Sequence, residues 1–263
     1  MATMVTDQGI VHYEVLGRGR PVILLHGWLG SWALWRDTME VLSKEFRTYS
    51  LDFFGFGESL DRTSDVSISN YVLLVNQFMD RLGIPKAPIV GHSMGGTVTL
   101  GVALKYPQKA VKAIVIGAPI DGESLNFFLK LSGYKGIAHL AYGIPYVLDL
   151  FIMALTRFGS PEGKSIHQMV KEDAPKVSAD SFFGSIGGLR KTDLREDLHD
   201  VTVPILGIYG KRDIIVNPNQ SKVLLEYAPT STEAWFDKSG HFPMMDEPQR
   251  FHETLRNFLN NSV

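Results

Sequence analysis

The sequence predicts an α/β protein, with a mostly parallel central sheet flanked by helices and one inserted helical segment. Three observations carry this. Short β-rich apolar runs alternate with amphipathic helical stretches up to about residue 117, the pattern of a sheet covered on both faces. The alternation stops between about Pro119 and Val203, where aromatic residues recur at helical spacing without a convincing strand. It then resumes to the end of the chain. A length of 263 residues accommodates one such domain with a modest insertion. The expected division is a core of residues 1–120 and 201–263, with 121–200 as a helical cap.

Taken in order, Gly9 to Leu16 reads as part of an N-terminal β-hairpin. Pro21 to Leu25 is a continuous apolar run, as in a strand buried on both faces. Arg47 to Phe53 is a further strand, and Ile68 to Leu82 places Tyr71, Leu74, Val75, Phe78 and Leu82 on one helical stripe. Ala87-Pro88-Ile89-Val90 is an apolar strand leading into a tight turn and the helix-like Thr97 to Leu104. Strands follow at Ala113–Gly117, Ile205–Tyr209 and near Ala234–Phe236, and a terminal helix carries Phe251, Leu255, Phe258 and Leu259 inwards. In the insertion, Phe127, Phe128, Tyr134, Tyr142, Tyr146, Phe151, Phe158, Phe182 and Phe183 form the core of the cap, with a few facing a pocket. The cap is expected over the C-terminal edge of the sheet, where open α/β folds bind ligands.

Composition narrows the partners. A net charge of −2 gives no basic surface for nucleic acid, so a small molecule is the expected partner. With no cysteine in the chain, disulfides, thiolate metal sites and a cysteine nucleophile are excluded. Met1 to Gly9 has neither the basic start nor the apolar core of a signal peptide. Gly136 to Thr156 is apolar enough to resemble a membrane span, but His139, Gly143, Pro145 and Asp149 would be costly at mid-bilayer. No stable membrane insertion is expected, and the cytoplasm is the expected setting.

The chemistry centres on Gly91-His92-Ser93-Met94-Gly95-Gly96, between the Ala87–Val90 strand and the helix that follows. A bend that tight forces the serine into an unfavourable backbone conformation and brings its flanks against neighbouring chain, so glycine is required at 91 and 95. It leaves the Ser93 hydroxyl above the sheet at a helix N-terminus, which favours negative charge. A serine hydroxyl needs a general base. Of eight histidines, His241 lies in the loop Lys238-Ser239-Gly240-His241-Phe242-Pro243 between a strand and the terminal helix, and can reach the sheet edge. His92 is expected to point elsewhere. His12, His139, His167, His199 and His252 are expected at surface or helical positions. The base needs an orienting acid. Asp213 follows the Ile205–Tyr209 strand at the same sheet edge as Ser93, and the order Ser93, Asp213, His241 suits a nucleophile elbow. Asp121, which also follows a core strand, is the alternative. The oxyanion donors are expected to be the backbone N–H groups of Met94 and of Trp28, in His26-Gly27-Trp28-Leu29-Gly30. As side chains, Trp28, Met94 and Phe242 are expected to line the substrate pocket, and His26 to brace its loop.

With these motifs the chain resembles the α/β-hydrolase superfamily over nearly its whole length. The matching stretches are His26-Gly27-Trp28, Asp52-Phe53-Phe54-Gly55-Phe56-Gly57-Glu58-Ser59, Gly91 to Gly96, Gly210-Lys211-Arg212-Asp213 and Gly240-His241-Phe242. The resemblance implies a structural role for Asp52. Ser93 at the elbow argues against epoxide hydrolases and haloalkane dehalogenases, which place an aspartate there. Phe242 after His241 argues against hydroxynitrile lyases, and His92 with Phe242 against the meta-cleavage C–C hydrolases. The motifs most resemble the serine esterases of the cofactor-free haloperoxidase-like branch. A carboxylesterase acting on small to medium apolar esters is therefore expected, with no metal or organic cofactor. A C–C hydrolase or lactonase with the same triad is the alternative, and a ligand receptor with vestigial hydrolysis a more distant one.

Overall fold

The computed structural model describes residues 2–61, 65–132, 153, 157 and 160–261. Ala2–Val5 (β1) and Gly9–Gly17 (β2) form an antiparallel hairpin, and β2 pairs antiparallel with Phe46–Leu51 (β4). Arg20–Leu25 (β3) enters beside β4 and begins a parallel array continued by Ala87–His92 (β6), Ala110–Ile116 (β7), Ile205–Gly210 (β8) and Ser231–Phe236 (β9). The short Leu60–Asp61 (β5) pairs with β2. The order across the sheet is β1-β2-β4-β3-β6-β7-β8-β9, so the sheet is mostly parallel, as the sequence predicts.

Burial follows the pattern of the strands. Val22, Ile23, Leu24 and Leu25 of β3 and Ala113 to Ile116 of β7 are inaccessible to solvent, as expected where helices cover both faces. The predicted strand at Arg47–Phe53 ends at Leu51, because Asp52 turns away to hold a loop. The described helices are Arg36–Leu42 (α1), Ile68–Arg81 (α2), Met94–Lys105 (α3), Phe127–Ser132 (α4), Gly163–Asp173 (α5), Ala179–Lys191 (α6), Gln220–Tyr227 (α7), Pro243–Asp246 (α8) and Pro248–Asn260 (α9). The α2 stripe packs as its spacing requires, with Tyr71, Leu74, Val75 and Phe78 in the core. In α9, Phe251, Leu255 and Leu259 are buried, while Phe258 is half-buried under the Lys112 ammonium, 5.2 Å from its ring centre.

Of the insertion, the described elements α4, α5 and α6 are helical. Tyr134, Tyr142, Tyr146, Phe151 and Phe158, and all of Gly136 to Thr156 except Met153, lie outside the described residues. Phe182 and Phe183 are buried as expected, whereas Phe127 is exposed. Both ends of the insertion emerge at one place: Gly122 N–H donates to the Thr192 carbonyl (2.9 Å) and Leu194 N–H to that of Ile120 (3.0 Å). Among the described residues, no helix is long and apolar enough to cross a membrane.

Candidate active site

Ser93 lies between β6 and α3 at φ 51° and ψ −118°, a region that costs an L-residue free energy and persists only where the surroundings impose it. Here they do. The Ser93 N–H donates to the Ile116 carbonyl of β7 (2.7 Å), and its own carbonyl accepts from Gly96 N–H (2.8 Å) and Thr97 N–H (3.2 Å). A Cβ at Gly91 would lie 2.1 Å from the Gly95 carbonyl oxygen, and one at Gly95 2.5 Å from the carbonyl oxygens of Leu25 and His26. The glycine spacing of the elbow is thus a steric requirement. Met94 opens α3, so its N–H has no acceptor four residues back within the helix.

Asp213 follows β8 in a turn closed by its N–H on the Gly210 carbonyl (3.3 Å). Its Oδ1 accepts from the N–H groups of Ile215 (2.8 Å) and Val216 (3.0 Å), and its Oδ2 accepts from His241 Nδ1 at 2.7 Å. Both side chains are buried. A carboxylate held on three donors fixes the imidazole as its Nδ1–H tautomer and leaves Nε2 without a proton, able to accept one. Gly117, at φ 53° after β7, makes room for the pair: a Cβ there would lie 3.0 Å from His241 Nδ1 and 3.3 Å from Asp213 Oδ2. Asp121, the alternative acid, accepts instead from Ser124 N–H (3.1 Å) and Gln220 Nε2 (3.0 Å), and forms no bond to His241 among the described residues.

Two groups support the histidine loop. His92 Nε2 donates to the His241 carbonyl (2.8 Å), and its ring packs 4.7 Å from that of His241 and 4.8 Å from that of Phe242, centre to centre. Burial, and then the neighbouring His241, holds the His92 pKa well below the usual imidazole value, so it stays neutral and serves as a prop. Asp246 accepts from Gly240 N–H (2.9 Å) with one oxygen, and from the Ser160 hydroxyl and Glu162 N–H (3.2 Å) with the other. Burial raises its pKa despite these bonds. It therefore ties the insertion to the histidine loop. No local motif marks this tie, because its partners in the insertion lie more than 80 residues away in the chain.

Ser93, His92 and His241 line one pocket with Trp28, Leu29, Ile215 and Phe242 from the core and Leu125, Leu129, Val170, Ile186 and Leu189 from the insertion. The wall beyond the three polar residues is apolar. Trp28 and Phe242 thus both line the pocket that holds Ser93 and His241. The Met94 side chain does not: it is fully buried in the core cluster behind the elbow, and only its backbone belongs to the site. Trp28 is anchored to the insertion through Nε1–H on the Phe182 carbonyl (3.0 Å), with the two rings 4.5 Å apart.

His26 braces its loop as expected. Its Nδ1 donates to the Gly27 carbonyl (2.7 Å) and its Nε2 accepts from Phe53 N–H (3.0 Å). Burial lowers its pKa. His12, by contrast, is not at the surface. It is buried, with Nδ1 donating to Asp52 Oδ2 at 2.8 Å. Asp52 also accepts from the N–H groups of Trp32 (2.6 Å) and Glu58 (2.9 Å). Burial pushes the Asp52 carboxyl up, but the His12 bond and the backbone donors outweigh it and the net pKa is lowered.

Comparison with known proteins agrees with this architecture. Residues 20–135 match the family model of the alpha/beta hydrolase fold. The chain aligns over 97% of its length with an esterase from Exiguobacterium antarcticum (TM-score 0.84, 22% identity, 97% of that chain). It aligns over 96% with a bromoperoxidase from Bacillus anthracis (TM-score 0.85, 24% identity, 96% of that chain). The family match and these structural likenesses show that the chain has the α/β-hydrolase fold. In sequence it is similar to the pimeloyl-[acyl-carrier protein] methyl ester esterases of Vibrio cholerae, at 27% identity over 94% of this chain and 97% of the relative, and of Vibrio campbellii, at 29% over 94% and 98%.

Proposed function

We propose that the chain is a serine hydrolase that cleaves carboxylic esters through an acyl-enzyme, with Ser93 as nucleophile, His241 as general base and acid, and Asp213 as the orienting carboxylate. The observation that carries this reading is a serine in an imposed, strained elbow that shares a pocket with a histidine locked on Nδ1 by a three-donor aspartate. Ser93 Oγ attacks the ester carbonyl carbon while His241 Nε2 takes its proton. The N–H groups of Met94 and Trp28 hold the oxyanion, each such donor being worth about 10²–10³ in rate. His241 then protonates the leaving alcohol, and in the second half activates the water that releases the acid and restores Ser93. Nucleophile and base supply this chemistry, so it calls for no metal or organic cofactor.

The apolar wall supports an acyl or alcohol group of small to medium size and low polarity. The names of the relatives add a candidate, a methyl ester at the end of an acyl chain carried by a protein. Residues 1–120 and 201–263 serve as the catalytic core in this reading, 121–200 as the cap over the pocket, and the cytoplasm as the working compartment.

A fluorophosphonate probe should label Ser93, and Ser93→Ala should lower kcat by about 10³-fold or more with the fold intact. Near-normal turnover by Ser93→Ala would sink the assignment. A parallel series of simple esters, lactones and dienone acids separates the esterase from the lactonase and C–C hydrolase alternatives. Multiple turnovers without an added protein would dismiss a receptor.

A further inference from the structure

We infer that His26 is a positioning residue for the oxyanion hole, acting through the peptide that joins Gly27 to Trp28. The inference rests on the reading above, in which the Trp28 N–H is one of the two oxyanion donors. The Gly27 carbonyl and the Trp28 N–H belong to the same planar trans unit, so they point in opposite directions and turn together. That carbonyl is fixed from two sides, by His26 Nδ1–H at 2.7 Å and by Gly30 N–H at 3.2 Å. Fixing the oxygen fixes the aim of the N–H. Hydrogen bonds to a carbonyl also polarise the whole peptide unit, which makes its N–H a better donor.

The rest of the loop shows why this clamp is needed. Leu29, directly after Trp28, has φ 58°, a left-handed conformation that a leucine adopts only when held there. The backbone at Gly27 lies against the elbow: a Cβ on Gly27 would sit 3.1 Å from Ser93 Cβ and 2.8 Å from His92 Nδ1. Among the hydrogen bonds of the described residues, neither the Trp28 nor the Met94 N–H is spent on a protein acceptor. Two unspent donors therefore flank the serine.

His26 itself has one tautomer available. A carbonyl can only accept, so Nδ1 carries the proton, and Nε2 must be bare to accept from Phe53 N–H at 3.0 Å. Phe53 adjoins Asp52, whose carboxylate holds the N–H groups of Trp32 and Glu58. The imidazole thus ties the oxyanion loop to a second loop that is itself pinned. His26 is fully buried and touches no substrate in this role.

The test compares two variants that each retain one half of the clamp. His26→Asn places an amide N–H where Nδ1 stood and keeps the bond to the Gly27 carbonyl. His26→Gln reaches the Nε2 position and keeps an acceptor for Phe53 N–H. The expected result is a kcat near that of wild type for His26→Asn and a loss of roughly 10–100-fold for His26→Gln, with KM within about threefold in both. A boronic acid, which forms a tetrahedral adduct on the serine, should lose affinity for His26→Gln by a factor that tracks the loss in kcat/KM. Melting temperatures report the structural share, because a brace without a positioning role lets activity follow stability in both variants. Equal kcat for the two variants, or losses that scale only with melting temperature, would overturn the inference. The wild-type enzyme gives a readout that needs no variant: imidazole ¹⁵N NMR should show a His26 resonance of the Nδ1–H tautomer, and an Nε2–H tautomer would overturn it. Fluorophosphonate mapping that misses Ser93 in wild type overturns the serine-hydrolase reading instead, so the two failures are distinguishable.

Discussion

Among the described residues are two buried histidine–aspartate pairs of almost the same geometry. His241 donates from Nδ1 to Asp213 at 2.7 Å, and His12 donates from Nδ1 to Asp52 at 2.8 Å. Each aspartate also accepts from two backbone N–H groups. The difference lies at the other ring nitrogen. His241 borders a pocket shared with Ser93, whereas His12 Nε2 is enclosed, 3.5 Å from Glu14 Oε1. A histidine oriented by an aspartate is therefore not in itself a catalytic device. In the proposed mechanism, access at Nε2 and a serine within that access separate the pair that does chemistry from the pair that holds strands and loops together.

Exchanging each aspartate for asparagine breaks the comparison most strongly. Asp213→Asn keeps an acceptor for Ile215 and Val216 but presents an amide to His241, which favours the wrong tautomer. A fall of about 10³–10⁴ in kcat is expected with little change in melting temperature. Asp52→Asn should do the reverse. It leaves buried donors unpaired, at a cost of about 1–3 kcal/mol in urea unfolding, and the retained fold should still turn over ester. If the two variants lost activity equally, the division of roles would be wrong.

The second prediction concerns pH. The Asp52 hydrogen bond raises the His12 pKa above its ordinary value of 6.5, with burial opposing and the charges of Asp52 and Glu14 reinforcing it. A raised folded-state pKa means that this pair's stabilisation is complete below 6.5 and disappears as pH climbs through the higher folded value. Unfolding free energy measured across that window should decline in wild type, and His12→Gln should flatten the decline. A slope unchanged by His12→Gln would show that other groups carry it.

The smallest effect belongs to Lys176, which reaches from the insertion to Glu58 (2.9 Å) and Asp173 (3.4 Å) while 40% exposed. Lys176→Met should change stability by no more than about 1 kcal/mol, and less in high salt. A larger change would mean that exposed charges, and not only the buried pairs, tie the insertion to the core.

The two pairs also differ in how far the sequence reveals them. The elbow is legible because its glycines answer to local sterics, and Asp213 because it stands at a strand end on the edge where Ser93 stands. His12 and Asp52 meet for a non-local reason. The antiparallel register of β2 with β4 sets Tyr13 against Leu51, and Asp52 N–H bonds back to the His12 carbonyl. Nothing around His12 records that register, so a buried ion-pairing histidine reads as an ordinary surface one. Met94 fails for a related reason: its chain position fixes its backbone beside the serine, but the side chain leaves in the direction the helix dictates. The core strands were legible from apolar runs, whereas Ala2–Val5 is half-exposed on the sheet edge and carries no such run.

The left-handed φ of Ser93 sets activity against durability at a single residue. Glycine adopts that conformation without penalty, so Ser93→Gly should stabilise the fold by about 1 kcal/mol even after its greater unfolded-state entropy is counted. In the proposed mechanism the same change removes the nucleophile. A population of variants selected for heat resistance alone would thus be driven towards glycine at position 93, and selection for turnover is what keeps the less stable residue in place.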